Sequence, residues 1–240
     1  KLWNNNLPKL KHNFIKTWQQ MMADMLEYAD ALVTTSSSAK VQIEQIYPHL
    51  NQKLFSVIPH GRDFPQLEAN TAICEQFLHP SQPLRLLFPG NVGVHKGAEL
   101  IAQIEALDTE KRIEFHFLGN TDRMLRSFGK HYGTYKREEF HKWIGKIQPH
   151  YVGLFSIWPE TYCHTLTESW ASGVPGIALD MGAVGDRIRQ HGGGWTIDTL
   201  DPEAIYARLV EIGNDLDGYW QKISEIRRWQ RSYGKQNNIA

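Results

Sequence analysis

The chain has 240 residues, of which 41% are hydrophobic and 22% charged, so it can form one large domain or two small ones with a substantial core. Twenty-six basic residues balance twenty-six acidic ones, and neither a basic excess nor a basic stripe indicates a nucleic-acid partner. Two cysteines, Cys74 and Cys163, are too few for a disulfide framework or a cysteine-rich zinc site.

Targeting and metal-binding patterns are not found in the sequence. No apolar run approaches the roughly 18 residues of a membrane helix, and no signal-peptide pattern opens the chain. The eleven histidines show no HExxH or paired spacing, so no metal site is predicted. The first residues do not begin with Met and resemble the interior of a longer sequence. We therefore expect a fragment of a longer protein.

The first predicted element is a helix over residues 8–29 with one buried face. Its apolar positions recur at helical spacing: Leu10, Phe14, Trp18, Met21, Met25 and Ala29. Such a helix packs either on a neighbouring domain or on a membrane surface. A short strand (ALVTT), a helix capped by the Ser36–Ser38 run and an apolar strand (FSVIPHG) follow.

From residue 84 onward, apolar strands alternate with helices. The strands are LRLLFPG, IEFHFLG, YVGLFSI, PGIALD and GGWTID, and helices are predicted over 97–107, 137–147 and 166–172 and from 184 and 202. This alternation predicts an α/β fold, a Rossmann-like parallel sheet with helices on both faces. Such sheets bind ligands at the carboxyl ends of their strands, which here are the loops after Phe88, Leu118, Ile157 and Leu179.

The loop GNVGVHKG, from Gly90 to Gly97, has the composition of an anion site. Its glycines let the backbone approach a ligand, and Lys96 stands where the next helix begins. Backbone N–H groups, the helix dipole and one ammonium together suit a diphosphate. The spacing matches neither a P-loop nor the dinucleotide GxGxxG, so glycines with a purely structural role remain the alternative.

The loop WPETYCHTLTESW carries two carboxylates, Glu160 and Glu168. Thr165 and Glu168 fit a capping box, with Thr165 as N-cap and Glu168 at the third helical position. A diphosphate on the first N–H groups of this helix would then lie between two carboxylates that accept hydrogen bonds from sugar hydroxyls. The alternative is that Glu168 only caps the helix and Glu160 is solvated.

Three further positions are left open or read as structural. Tyr135 stands at a strand-to-helix turn, where it either contacts a base or covers the sheet edge. Gly182 and Gly185 permit close approach in the loop DMGAVGDR. The triplet Asp215-Leu-Asp217 precedes the last helix and is interpreted as a cap rather than as the metal-binding D-x-D of a GT-A glycosyltransferase.

These motifs together resemble a known family. The segments LLFPGNVGVHKGAELI, IEFHFLGN and WPETYCHTLTESWASGVPGIALDMGAVGDRI resemble the C-terminal domain of the bacterial family 4 retaining glycosyltransferases, which have the GT-B fold. The upstream segment YADALVTTSSSAKVQIEQIYPHL…VIPHGRDF resembles the crossover between the two domains of that family. The resemblance covers about residues 8–230. It implies a crossover segment over 1–58 and a nucleotide-sugar-binding domain over 59–240.

The resemblance implies roles for the glycine-rich loop and the next strand. Lys96 would hold the donor diphosphate and take part in catalysis. The family often has Arg directly after the first glycine of the loop, where this chain has Asn91, and His95 would compensate in part. Gly90 and Gly119, at the ends of two strands, would line the donor site.

The resemblance also implies roles for the acidic loop. Glu160 would face the donor sugar and help the chemistry, and Glu168 would bind the ribose hydroxyls. Tyr135 or its neighbours would lie near the base. The phosphate would be held by the backbone N–H groups of His164, Thr165 and Leu166.

The implied reaction is transfer of a sugar from a UDP- or GDP-sugar to a saccharide acceptor, with retention, without a required metal and with no other cofactor. The acceptor would bind through an N-terminal domain outside this chain. Surface polysaccharide assembly at the cytoplasmic face of a bacterial membrane is implied by analogy, with peripheral membrane association left open. A non-catalytic nucleotide-sugar-binding module and a GT-B-shaped sugar-nucleotide epimerase remain the alternatives.

Overall fold

The computed structural model describes residues 14–61 and 82–236. Leu10 and the predicted start of the first helix lie outside these residues. The chain divides into two compact units, Lys1–Ile58 and Pro59–Ala240. Among the described residues, no helix has both the length and the apolar character needed to cross a membrane.

The first unit is a small α/β segment. Its elements are α1 (Phe14–Glu27), β1 (Ala31–Thr34), α2 (Ser37–Ile46) and β2 (Leu54–Val57), and β1 and β2 pair in parallel. The Ser36 hydroxyl accepts a hydrogen bond from the Ala39 N–H at 3.2 Å, so the predicted cap of α2 is confirmed. Leu32 and Phe55 on one face of the strands are the centre of its apolar cluster.

The predicted buried face of α1 is not the face that packs on this unit. Trp18, Met21 and Met25 are exposed, whereas Met22 and Leu26 pack against the cluster around Leu32 and Phe55. The helix carries two adjacent apolar stripes that are offset by one residue, or about 100° around the helix. Periodicity alone does not distinguish which of the two stripes faces the strands.

The second unit is a parallel sheet with helices between its strands. Its strands are β3 (Leu84–Val92), β4 (Ile113–Thr121), β5 (Lys130–His131), β6 (Tyr151–Leu154), β7 (Gly176–Leu179) and β8 (Gly194–Ile197). Its helices are α3 (Ala98–Leu107), α4 (Phe140–Ile147), α5 (His164–Ala171), α6 (Gly182–His191), α7 (Pro202–Asn214) and α8 (Leu216–Gln236). The six strands are ordered β5-β4-β3-β6-β7-β8, and all pairs are parallel.

Both faces of this sheet are covered. Phe88 and Phe117 lie on one face in a cluster with residues of α3 and α7, whereas Leu87 and Val152 lie on the other in a cluster with residues of α4, α5 and α6. Burial on both sides explains why the strand sequences are continuously apolar rather than alternating. The predicted fold class is therefore confirmed.

Two local expectations have different outcomes. Strands β3 and β4 continue past their glycines, because Gly90 pairs with Gly119 and the ladder runs on to Val92 and Thr121. The sequence had ended both strands at the glycine. The Asp215 carboxylate accepts a hydrogen bond from the Gly218 N–H at 2.9 Å, as a cap at the start of α8, so that interpretation is confirmed.

Candidate functional site

The strand order places a topological switch point between β3 and β6. From β3 the chain passes to β4 and β5 on one side, and it then crosses to β6 on the other side. The connections after β3 and β6 therefore diverge, and a crevice opens between them at the carboxyl ends of the strands. We call these connections the β3–α3 loop (Gly93–Gly97) and the β6–α5 loop (Phe155–Cys163).

Hydrogen bonds and a close backbone contact hold the β3–α3 and β6–α5 loops together. The His95 carbonyl accepts hydrogen bonds from the Ile157 N–H at 3.1 Å and from the Ser156 hydroxyl at 3.3 Å. Gly97 has φ +78°, and a Cβ at this position would stand 2.3 Å from the Phe155 carbonyl oxygen. Only glycine combines this conformation with so close a contact. These contacts hold the two loops together at the base of the crevice.

Lys96 and Glu160 form an ion pair across the crevice. The Lys96 side chain is 35% exposed and that of Glu160 is 14% exposed, so the ammonium lies nearer to solvent. The Glu160 carbonyl accepts a hydrogen bond from the Ala183 N–H at 2.9 Å, and Gly182 packs against the same backbone. The structure thus brings together the two residues that the resemblance assigned to catalysis.

The predicted start of α5 is wrong. Thr165 is not the N-cap, and Glu168 is not in a capping box, because the helix begins at His164 after Cys163. Cys163 has φ 69° and ψ 86°, a left-handed conformation that is unfavourable for a residue with a side chain. No side chain caps this end of α5. The Thr165–Glu168 capping box is therefore absent from the first turn of α5, which follows directly on the β6–α5 loop.

A buried arginine on α6 accounts for this start. The Arg187 guanidinium donates hydrogen bonds to the carbonyls of Tyr162 at 3.0 Å and Cys163 at 2.9 Å, and to the Thr167 hydroxyl at 2.8 Å. It also stacks over the Tyr162 ring at 4.2 Å. Sequence reasoning missed Arg187. Its helical spacing from the apolar Val184 was the signal that it points inward.

Glu168 is buried on α5 and pairs with a second residue that the sequence reading missed. Its carboxylate lies 3.6 Å from Nε of Arg137, whose side chain is 59% exposed. Arg137 belongs to the connection before α4, two residues after Tyr135. Tyr135 itself is half-buried against Phe140, with ring centroids 5.7 Å apart. Its predicted contact with a base stays a prediction.

The other predicted residues line the same edge of the sheet. Asn91 and His95 are exposed. Gly90 lies against Gly119, and a Cβ at position 119 would stand 2.1 Å from the Gly90 carbonyl oxygen. This close approach is a structural reason for the glycine at position 119. Its role in donor binding stays a prediction.

In the first turn of α5, the side chains have different surroundings. The half-buried His164 ring lies 4.9 Å from that of His60 and 5.1 Å from that of Tyr162. Thr165 is half-buried, whereas the Leu166 side chain belongs to the core. Leu166 can therefore meet a ligand only through its backbone.

The thiol beside the site is not a nucleophile at neutral pH. Burial first, and the nearby Glu160 carboxylate second, raise the pKa of Cys163 to about 12. The thiol is therefore protonated at pH 7, and the thiolate is the reactive form. Lys96 and Glu160, unlike this thiol, offer charged groups to a ligand in the crevice.

Comparisons with solved structures support the fold. HepE of Anabaena in complex with UDP and glucose is similar to this chain with a TM-score of 0.70 and 13% identity, over 94% of this chain and 66% of HepE. Sucrose-phosphate synthase of Thermosynechococcus elongatus is similar with a TM-score of 0.68 and 16% identity, over 93% and 61%. A glycosyltransferase of Rickettsia africae is similar with a TM-score of 0.60 and 14% identity, over 98% and 69%.

The sequence comparisons found no match, in contrast to the structure comparison. No protein-family model matches the chain, and no curated protein matches it significantly. The structural likeness, at identities well under 25%, shows the fold: this chain has the Rossmann-like α/β fold found in GT-B glycosyltransferases. It spans about two thirds of the length of HepE.

Proposed function

We propose that this chain is the donor-binding, C-terminal half of a family 4 retaining glycosyltransferase of the GT-B type. The observation that carries the proposal is the Lys96–Glu160 pair at the switch point, beside the N-terminus of α5. Ligand sites of open parallel sheets lie at such points. The glycosyltransferase motifs in the sequence support the proposal, as do the structures of HepE with UDP, with UDP and glucose, and with UDP-glucose.

The diphosphate of the donor binds Lys96 and the first backbone N–H groups of α5. An anion in a favourable position gains up to about 2 kcal/mol from the helix dipole. These N–H groups belong to His164, Thr165 and Leu166. The Lys96 ammonium is neutralised by Glu160. A diphosphate competes for Lys96 and leaves the Glu160 carboxylate to accept hydrogen bonds from the sugar.

The nucleoside is held on the other side of the diphosphate. Glu168 accepts hydrogen bonds from the ribose hydroxyls, and its ion pair with Arg137 orients the buried carboxylate. Tyr135 lies near the base. Asn91, where the family often has Arg, removes one cation from the phosphate grip, and the exposed His95 replaces it in part.

Transfer proceeds with retention, as in the family that the sequence resembles. It needs no metal, because Lys96 and the α5 N-terminus neutralise the departing diphosphate. Preorganised groups of this kind are commonly the largest catalytic term. The saccharide acceptor binds through an N-terminal domain. The enzyme serves bacterial surface polysaccharide synthesis in the cytoplasm, in peripheral contact with the inner face of the membrane.

A thermal-shift titration of this chain tests the donor site. UDP, GDP, ADP and their sugar conjugates are compared with and without EDTA. A bound nucleotide at 100 times its dissociation constant adds about 2.7 kcal/mol, or about 5–10 °C. We expect Lys96→Ala to weaken binding at least tenfold. Lys142→Ala, which removes an exposed lysine of α4, leaves binding unchanged. A shift that EDTA abolishes, or that Lys96→Ala retains, contradicts the proposal.

The two glutamates separate chemistry from binding in the complete enzyme. Glu160→Gln keeps the shape of the side chain but removes its charge, and we expect transfer to fall about 100-fold or more with nucleotide affinity retained. Glu168→Gln mainly weakens nucleotide binding. Near-normal kinetics in both variants contradict the assignment. Conversion of the nucleotide sugar without any acceptor would instead favour an epimerase, and binding without transfer would favour a non-catalytic module.

A further inference from the structure

An exposed tryptophan stands at the mouth of the crevice. The Trp158 side chain is 56% exposed in the β6–α5 loop, two residues before Glu160. Val94 in the facing loop and Ile157 are also exposed, at 46% and 40%. Exposed apolar side chains grouped beside a crevice at the carboxyl ends of the strands form a candidate surface for ligand contact.

Contacts of the ring and of the neighbouring backbone set the position of Trp158. Its ring lies edge-on to that of His95, with centroids 5.6 Å apart and an interplanar angle of 62°. The hydrogen bond from the Ile157 N–H to the His95 carbonyl fastens the loop just before it. Gly182 packs against Pro159 just after it, where a Cβ would come within 2.7 Å of the Pro159 Cα. Because the backbone is held on both sides of Trp158, this residue loses little conformational entropy when it binds a ligand.

The groups around the ring select the chemistry of the occupant. The Glu160 carboxylate is a strong acceptor for hydroxyl groups, and the Lys96 ammonium is a donor. The face of an indole carries negative charge, which attracts weakly positive C–H groups. A pyranose presents both features at once, since C–H groups cover one face of the ring and hydroxyls surround its edge. An apolar peptide would cover the Lys96–Glu160 pair without offering it any hydrogen-bonding group.

We infer that Trp158 is the stacking wall of a pyranose subsite, with Glu160 binding the polar edge of the same sugar. The inference rests on the proposed function and adds to it the residue that recognises the sugar ring. The sugar belongs either to the donor or to the acceptor, and the recognition chemistry is the same. Trp158 is a binding residue in this arrangement and takes no part in proton transfer.

The full chain tests this inference with Trp158→Ala and Trp158→Phe. In the donor arm, calorimetry compares UDP with UDP-glucose and GDP with GDP-mannose. In the acceptor arm, saturation-transfer NMR measures methyl glucoside, galactoside and mannoside in the presence of saturating UDP or GDP. Trp18→Ala is the matched control, because Trp18 is 49% exposed and lies in the first unit.

We expect Trp158→Ala to weaken binding of the sugar about five- to tenfold in one arm, with affinity for the free nucleotide unchanged. Trp158→Phe should retain most of the affinity, and Trp18→Ala all of it. Loss in neither arm overturns the inference, and equal loss for UDP and UDP-glucose overturns it in favour of a base-stacking role. If no nucleotide binds to the wild-type chain, the proposed function itself fails, and the inference fails with it.

Discussion

The two loops at the switch point begin their helices in the same way but for different reasons. Gly97 (φ 78°) precedes α3 and Cys163 (φ 69°) precedes α5, and neither helix has a side-chain cap. At Gly97 the residue type explains the conformation, since glycine alone fits a left-handed turn against Phe155. At Cys163 the residue type opposes it, and contacts from Arg187 hold it. One loop is shaped by local sequence and the other by the fold around it.

The largest effect should come from removing the support of the second loop. Arg187→Met keeps much of the apolar stem but leaves the carbonyls of Tyr162 and Cys163 and the Thr167 hydroxyl without their donor. We expect a loss of about 3–5 kcal/mol in the free energy of unfolding, measured by urea denaturation. Arg189→Met is the control on the same helix, because Arg189 is exposed, and it should change stability by less than about 0.5–1 kcal/mol. A small loss at Arg187 would mean that the β6–α5 loop holds its own conformation.

The next effect should come from the first loop. Gly97→Ala introduces a Cβ 2.3 Å from the Phe155 carbonyl oxygen in a left-handed conformation. The backbone penalty and the displaced neighbour together should lower the free energy of unfolding by about 2–4 kcal/mol. Gly145→Ala, within α4 and with no atom near the added Cβ, should be neutral or stabilising by about 0.5–1 kcal/mol. If both variants behave alike, the conformation at Gly97 is not what shapes this loop.

The smallest effect isolates the backbone at Cys163. Cys163→Gly and Cys163→Ala both remove the buried thiol, so the difference between them reports mainly the left-handed conformation. We expect the glycine variant to be more stable than the alanine variant by about 1 kcal/mol in paired urea titrations. Equal stabilities would show that Cys163 is not strained. The comparison between the loops would then lose its basis.

The same contrast explains which parts of the site could be predicted. The positions of Lys96 and Glu160 could be predicted because strand-loop-helix patterns placed both at the carboxyl edge of a parallel sheet, where the ends of neighbouring strands meet. The contacts of Arg137 and Arg187 could not be predicted, because each residue acts on a segment remote in sequence and no local pattern indicates such a contact. The capping box failed for the same reason, because Arg187 holds the carbonyls of Tyr162 and Cys163 where the chain enters α5, and the helix begins at His164.

By itself the sequence determined the parallel sheet with helices on both faces. Runs of apolar residues long enough for one strand, separated by amphipathic helices, can be buried only in such a layered arrangement. It also determined the glycine-shaped β3–α3 loop, because glycine conformations are a local property. Only the tertiary structure decided where α5 begins, which stripe of α1 packs and that Trp158 stays open beside Glu160. Each of these depends on atoms brought close by the fold from distant parts of the chain.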